Sequence, residues 1–95
     1  MNIKGGVMTI NYTDFIEAHV HANVTPGEAL KMLRELQDMS QNDLAQASGI
    51  SQPNISALEN GAKQMGRNTA LLLAKALRVH PGVLLFPDYD VSAAA

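Results

Sequence analysis

The chain has 95 residues, enough for one small domain with short extensions. It contains no Cys and no Trp, which excludes a disulfide framework and a thiolate metal site and agrees with a reducing cytoplasm. The net charge is −2, which excludes a uniformly basic nucleic-acid binder and directs attention to how the charges are placed.

Residues 1 to 7 carry Gly5-Gly6 and no hydrophobic period, so a mobile start is expected. Lys4-Gly5-Gly6 reads like a translated purine-rich ribosome-binding sequence, which makes Met8 the expected physiological start. VMTINY, residues 7 to 12, carries a weak strand alternation. Thr13 then caps a short helix, TDFIEAHVHA, with Phe15, Ile16, Ala18 and Val20 apolar. His19 and His21 are two apart and do not share a helix face. No Cys or carboxylate is spaced to complete a site with them, so no metal is expected.

Thr25-Pro26-Gly27-Glu28 is a capping box with Pro at the first helical position. The helix continues with Ala29, Leu30, Leu33 and Leu36 as an apolar stripe, and Met39 closes the turn. Residues 40 to 61, SQNDLAQASGISQPNISALENG, are the most informative part of the chain. Ser40 is an N-cap and Asp43 meets the helix dipole, with Leu44, Ala45 and Ala47 on the apolar side. Gly49 stops the helix where a left-handed residue is required. Ser51 caps again, Pro53 sits in the next first turn, Ile55 and Leu58 face one way, and Asn60-Gly61 ends the helix. Two helices joined by a short Gly turn form a helix-turn-helix, whose second helix enters the DNA major groove by its N-terminal residues. Gln52 and Asn54 carry amides suited to adenine N6 and N7, and Ser51 and Ser56 donate or accept. Pro53 cannot pair with a base edge. Lys63, Gln64 and Arg67 follow as phosphate contacts, and Asn60 either joins them or simply stops the helix.

After the loop, RNTALLLAKALRV is an apolar helix containing Leu71 to Leu73, Ala74 and Leu77. His80 is read as a helix-end residue, favourable there when protonated. PGVLLF forms a last short helix before Pro87. Its four consecutive apolar residues, Val83, Leu84, Leu85 and Phe86, exceed what one core face uses and point to a homodimer interface.

Residues 25 to 87 resemble the helix-turn-helix domain of the phage-repressor/Cro family, also called the XRE family. The resemblance rests on the SQNDLAQ helix, the GIS turn, the NISALENG recognition helix and the downstream LLLAKALRVHP. It implies an all-α, five-helix λ-repressor-like bundle. It also implies that Arg34 meets Glu59 across the bundle and that Gln41 bonds a DNA phosphate. The TPGEAL opening and VHPGVLLFPD ending are most similar to HigA-type antitoxins, which implies an autoregulatory repressor that also neutralises a RelE/HigB-like RNA-cleaving toxin.

The expected organisation is therefore an extension over 1–24, the DNA-binding domain over 25–87 and a tail over 88–95. The extension either packs on the bundle or serves as a toxin-binding arm. Six basic and five acidic groups inside the domain leave it near neutral, so a dimer on palindromic double-stranded DNA is expected. No nucleophile–base arrangement, phosphate-binding Gly loop or paired carboxylate motif is present, so neither catalysis nor a cofactor is expected. No apolar run reaches the length of a membrane span, and a cytoplasmic, nucleoid-associated protein is expected. Two other readings stay open: a stand-alone regulator without a toxin, and a protein-interaction module that no longer reads DNA.

Overall fold

The computed structural model describes residues 24–88. The strand and helix expected over residues 7 to 22, Met8, the His19 and His21 pair and most of the C-terminal tail lie outside the described residues. Among the described residues there are five helices and no strand: α1 (Pro26–Leu36), α2 (Gln41–Ser48), α3 (Gln52–Glu59), α4 (Arg67–Leu77) and α5 (Pro81–Leu85).

The helix starts are set by local chemistry. Thr25 Oγ1 accepts from the Glu28 amide (3.1 Å) while Glu28 Oε1 accepts from the Thr25 amide (2.9 Å), a complete capping box. Ser40 and Asp43 repeat it for α2, both bonds at 2.9 Å. Ser51 Oγ accepts from the Asn54 amide at the start of α3. Gly49, at φ 81°, ends α2 in the left-handed region.

Two helix ends carry side chains where glycine is usual. After α1, Met39 N–H donates to Arg34 O and Asp38 N–H to Glu35 O, with Asp38 at φ 57°. After α4, Val79 N–H donates to Ala74 O and Arg78 N–H to Lys75 O, with Arg78 at φ 61°. Both are Schellman closures. The second ends α4 at Leu77, two residues short of the expected RNTALLLAKALRV. Gln37 ties the two ends together, its Nε2 donating to Leu77 O at 2.7 Å.

The core collects Val24, Ala29, Leu30, Leu33, Leu44, Ile55, Leu58, Leu73, Ala74, Leu77, Val83 and Leu84. Helix α1 lies against α3 and α5, α2 against α3 and α4, and α4 against α5. The expected apolar stripes are trimmed at their edges. Leu36, Leu71 and Leu72 are about half exposed, at 50%, 45% and 48%. Ala47 is exposed, and Ser48, one turn beyond Leu44, takes the inward place. Its Oγ accepts from the Ile50 amide at 3.1 Å, so the buried hydroxyl is satisfied.

Val83 and Leu84 are 1% and 0% exposed within a single chain. They complete the monomer core and are not available to a dimer face, which corrects the expectation drawn from the four-residue apolar run. Leu85 is half-buried and Phe86 is 63% exposed. His80 also differs from expectation. It stands at the start of α5, with Nδ1 accepting from the Gly82 amide at 2.9 Å. The ring caps the start of α5 and does not serve the end of α4.

Candidate nucleic-acid interface

Helix α3 is anchored from behind by Ile55 and Leu58, both buried. Around the start of the helix Ser51 and Asn54 are exposed, and Gln52 and Ser56 are half-buried. Pro53 in the first turn fixes the backbone without costing a hydrogen bond, because that N–H has no helical partner.

The helix is oriented by a buried pair. Arg34 Nε donates to Glu59 Oε2 at 2.7 Å and Nη2 to Oε1 at 3.0 Å. The two side chains are 10% and 5% exposed. Arg34 Nη1 also donates to Met39 O at 2.7 Å, so the guanidinium holds the end of α1 and the end of α3 together. The hydrogen bond to Glu59 raises the Arg34 pKa above its ordinary value; burial acts the other way and the Glu59 charge adds to the rise. Planar two-point contact and charge both strengthen this tie.

Gln41 is joined to that pair. Its Nε2 donates to Glu59 Oε1 at 3.0 Å, and its Oε1 accepts from Gln52 Nε2 at 2.7 Å. The side chain that the resemblance assigned to a phosphate is thus bound twice within the protein, and one N–H remains for an outside acceptor. These contacts span 18 and 11 residues, beyond the reach of helical-spacing arguments.

The remaining candidates lie around this face. Lys63 Nζ donates to Asn54 Oδ1 at 3.2 Å, bringing the loop cation onto the reading face itself. Asn60 Oδ1 accepts from the Ala62 amide at 2.9 Å, so its oxygen closes the turn and only its Nδ2 points outward as a donor. Lys63 and Gln64 line an open cleft of about 500 Å³ shared with Thr25, Glu28 and Asn60. Arg67 is exposed in the first turn of α4, whose N-cap Gly66 supplies no side-chain cap. Among the described residues no group of three or more His, Cys, Asp or Glu is placed to hold a metal ion. Among them, too, no helix is long and apolar enough to cross a membrane.

Residues 30–84 match the helix-turn-helix family described as "HTH_3: Helix-turn-helix". The chain belongs to the XRE-type helix-turn-helix family. This is a family of DNA-binding regulators, not of enzymes. The helix-turn-helix chain is 39% identical over 72 residues to the uncharacterized HTH-type transcriptional regulator Rv0023 of Mycobacterium tuberculosis, covering 72% of this chain and 28% of that protein. It is 32% identical over 66 residues to the uncharacterized HTH-type transcriptional regulator y4wC of Sinorhizobium fredii, covering 70% of this chain and 42% of that protein. It therefore spans less than half the length of these relatives.

Two solved structures share the fold at similar depth. The P22 c2 repressor in complex with synthetic operator 9T matches with TM-score 0.63 and 30% identity, over 67% of this chain and 97% of the repressor. The restriction-modification controller protein C.AhdI of Aeromonas hydrophila matches with TM-score 0.61 and 28% identity, over 78% of this chain and all of the controller. The five-helix architecture is that of these λ/P22 c2-type proteins.

Proposed function

We propose that this protein is a transcriptional repressor that binds a palindromic operator as a homodimer, with the start of α3 in the major groove. The observation that carries the reading is the presentation of Ser51, Gln52, Asn54 and Ser56 on the outer face of a helix whose back is locked into the core. In this geometry the amides of Gln52 and Asn54 meet base edges, and Ser51 and Ser56 add hydroxyls. Asn60, Lys63, Gln64, Arg67 and the remaining Gln41 N–H serve the sugar-phosphate backbone. A near-neutral domain gains its DNA affinity from these few placed groups and from pairing two copies. The second copy meets Leu85 and the exposed Phe86, in a two-fold contact that places the two α3 helices in successive grooves.

The finer reading is an antitoxin of the HigA type. It is supported by the TPGEAL and VHPGVLLFPD segments, with residues 1–24 as the arm that takes a small RNA-cleaving toxin. The Mycobacterium and Sinorhizobium relatives are named HTH-type transcriptional regulators, which favours the plain regulator instead.

Selection from a pool of randomised duplexes tests the DNA reading. Enrichment of a palindrome with half-sites about one helical turn apart is expected. Failure to enrich any sequence would remove it. The arm is tested separately. Deleting residues 1–23, which keeps the core residue Val24, should abolish capture of a co-expressed toxin while sparing DNA binding, and retained capture would place the toxin contact elsewhere.

A further inference from the structure

We infer that Asn60-Gly61, at the end of α3, is a self-modification site. Asn60 deamidates by attack of the Gly61 backbone nitrogen, faster in the free protein than on DNA. The chemistry stands on the turn itself, and its consequence for binding rests on the reading of α3 as the recognition helix.

Asn60 is the asparagine followed by a residue without a side chain. Asn2, Asn11, Asn23, Asn42, Asn54 and Asn68 precede Ile, Tyr, Val, Asp, Ile and Thr, whose Cβ atoms crowd the attacking nitrogen. The turn itself favours the step. Asn60 Oδ1 accepts from the Ala62 amide at 2.9 Å, which draws electrons from Cγ and stabilises the charge that forms on the oxygen during attack. The Gly61 N–H is held only by a long bond, 3.4 Å to Leu58 O. Asn60 is exposed, so the leaving ammonia meets water at once. The backbone angle opposes the step. At ψ 3° the Gly61 nitrogen lies in line with the Asn60 nitrogen and is turned away from Cβ, so the turn must open before attack.

In the reaction the Gly61 nitrogen loses its proton and bonds to Asn60 Cγ. The Cγ–Nδ2 bond breaks, and Nδ2 leaves as ammonia with that proton. Water then opens the cyclic imide at either carbonyl. The product is aspartate, or isoaspartate, in which the main chain runs through Cγ and gains a methylene. Either product puts a carboxylate on the cleft edge that carries Lys63 and Gln64, where it repels a phosphate. Isoaspartate also lengthens the chain next to Glu59, the residue that seats α3 through Arg34. Bound DNA acts against the step. A phosphate held by Asn60 and Lys63 keeps the turn closed, and suppresses its opening in proportion to the excess of DNA over its Kd. Free repressor therefore loses its reading with age, and bound repressor is preserved.

The full chain is incubated in warm, mildly alkaline buffer, alone and with the selected duplex, and its peptides are mapped by mass over time. Exchange of NH₂ for OH should appear at Asn60 before any other asparagine, preceded by the imide that has lost ammonia. With duplex at about 100 times its Kd, the rate at Asn60 should fall by about 10- to 100-fold. Specific binding by aged protein should fall in step with the modified fraction. Asn60→Gln, whose longer side chain closes the ring far more slowly, should keep the affinity of its own fresh sample through the same incubation. First modification at another asparagine, or an equal rate at Asn60 with and without bound duplex, would overturn the inference. So would full specific affinity in the modified protein. Failure of the fresh parent to bind any selected duplex would instead overturn the recognition-helix reading and the protection by DNA with it, while the mass map of the free protein still decides the site.

Discussion

Gly27 in the first turn of α1 lies directly against the backbone carbonyl of Leu58 in α3, with the Glu59 carbonyl beside it. A Cβ at position 27 would run into both oxygens, and backbone, unlike a flexible side-chain end, cannot easily yield. Replacing Gly27 by Ala should cost about 1–3 kcal/mol through overpacking, although Ala is the better helix former. Because the contact sets the seat of α3, operator affinity should fall with it. Thermal unfolding of Gly27→Ala checks this, and an unchanged Tm would show that α1 shifts freely.

Arg34 and Glu59 form the buried tie behind α3. Arg34→Met should destabilise by about 3–5 kcal/mol, because it leaves a buried carboxylate without its partner. The double variant Arg34→Met, Glu59→Leu should recover most of that loss, because neither charge is then buried alone. The Arg34 pKa is raised in the fold, so its share of stability is complete at every pH below the ordinary guanidinium range and is lost only as pH rises through the raised value. Denaturant titrations of the parent and Arg34→Met at pH 7 and pH 9 should accordingly differ by the same amount.

Arg78 holds φ 61° at the end of α4 and Asp38 holds φ 57° at the end of α1. Arg78→Gly should raise stability by about 0.5–1 kcal/mol, the relief of left-handed strain exceeding the added freedom of the unfolded chain. Asp38→Gly should gain less, because short polar side chains tolerate this region better. A loss of stability in Arg78→Gly would indicate that the Arg78 side chain stabilises the fold by a contact of its own.

Gln52 and Lys63 are expected to act differently on DNA. Gln52→Ala should cost about 1–3 kcal/mol on the selected site and leave nonspecific binding unchanged. Lys63→Ala should weaken binding to all sequences and flatten the salt dependence by about one phosphate contact. A change of base preference in Lys63→Ala would mean that its bond to Asn54 persists on DNA and that Lys63 takes part in reading.

Phe86 is the most exposed large apolar side chain among the described residues, while its neighbours Val83 and Leu84 are sealed in the core. Phe86→Asp should leave Tm nearly unchanged and shift the protein to monomer in sedimentation. Loss of stability without dissociation would place the dimer contact elsewhere, with the half-exposed Leu71 and Leu72 as the alternative.

The helix starts were legible because a cap is written in three or four adjacent residues. Thr25 with Glu28, Ser40 with Asp43, and Ser51 each act within one turn. Gly49 was legible for the same reason. What the sequence obscured depends on contacts between distant segments. Arg34 sits at a stripe position, four after Leu30, and spacing alone does not pair it with Glu59, 25 residues away; only the family resemblance did. Leu36 and Leu71 look like core by composition, yet they fall at the edges of their stripes. A five-residue helix such as α5 is too short to show a period, so nothing in VLLF separates the buried Val83 and Leu84 from the exposed Phe86. The reading edge itself was visible as polar residues at the start of the helix that Ile55 and Leu58 anchor. The glutamine chain behind it was not, since it joins α2, α3 and the Arg34–Glu59 pair only in the folded state.

The central claim is that this chain reads DNA sequence through α3. Fluorescence-anisotropy titration on the duplex upstream of its own gene, with scrambled duplex as competitor and salt held constant, tests it most directly. The account predicts binding about a thousandfold or more tighter than to the scrambled duplex. Equal affinity for both duplexes at low salt, with the protein confirmed as a dimer, would contradict it and favour a module that binds another protein.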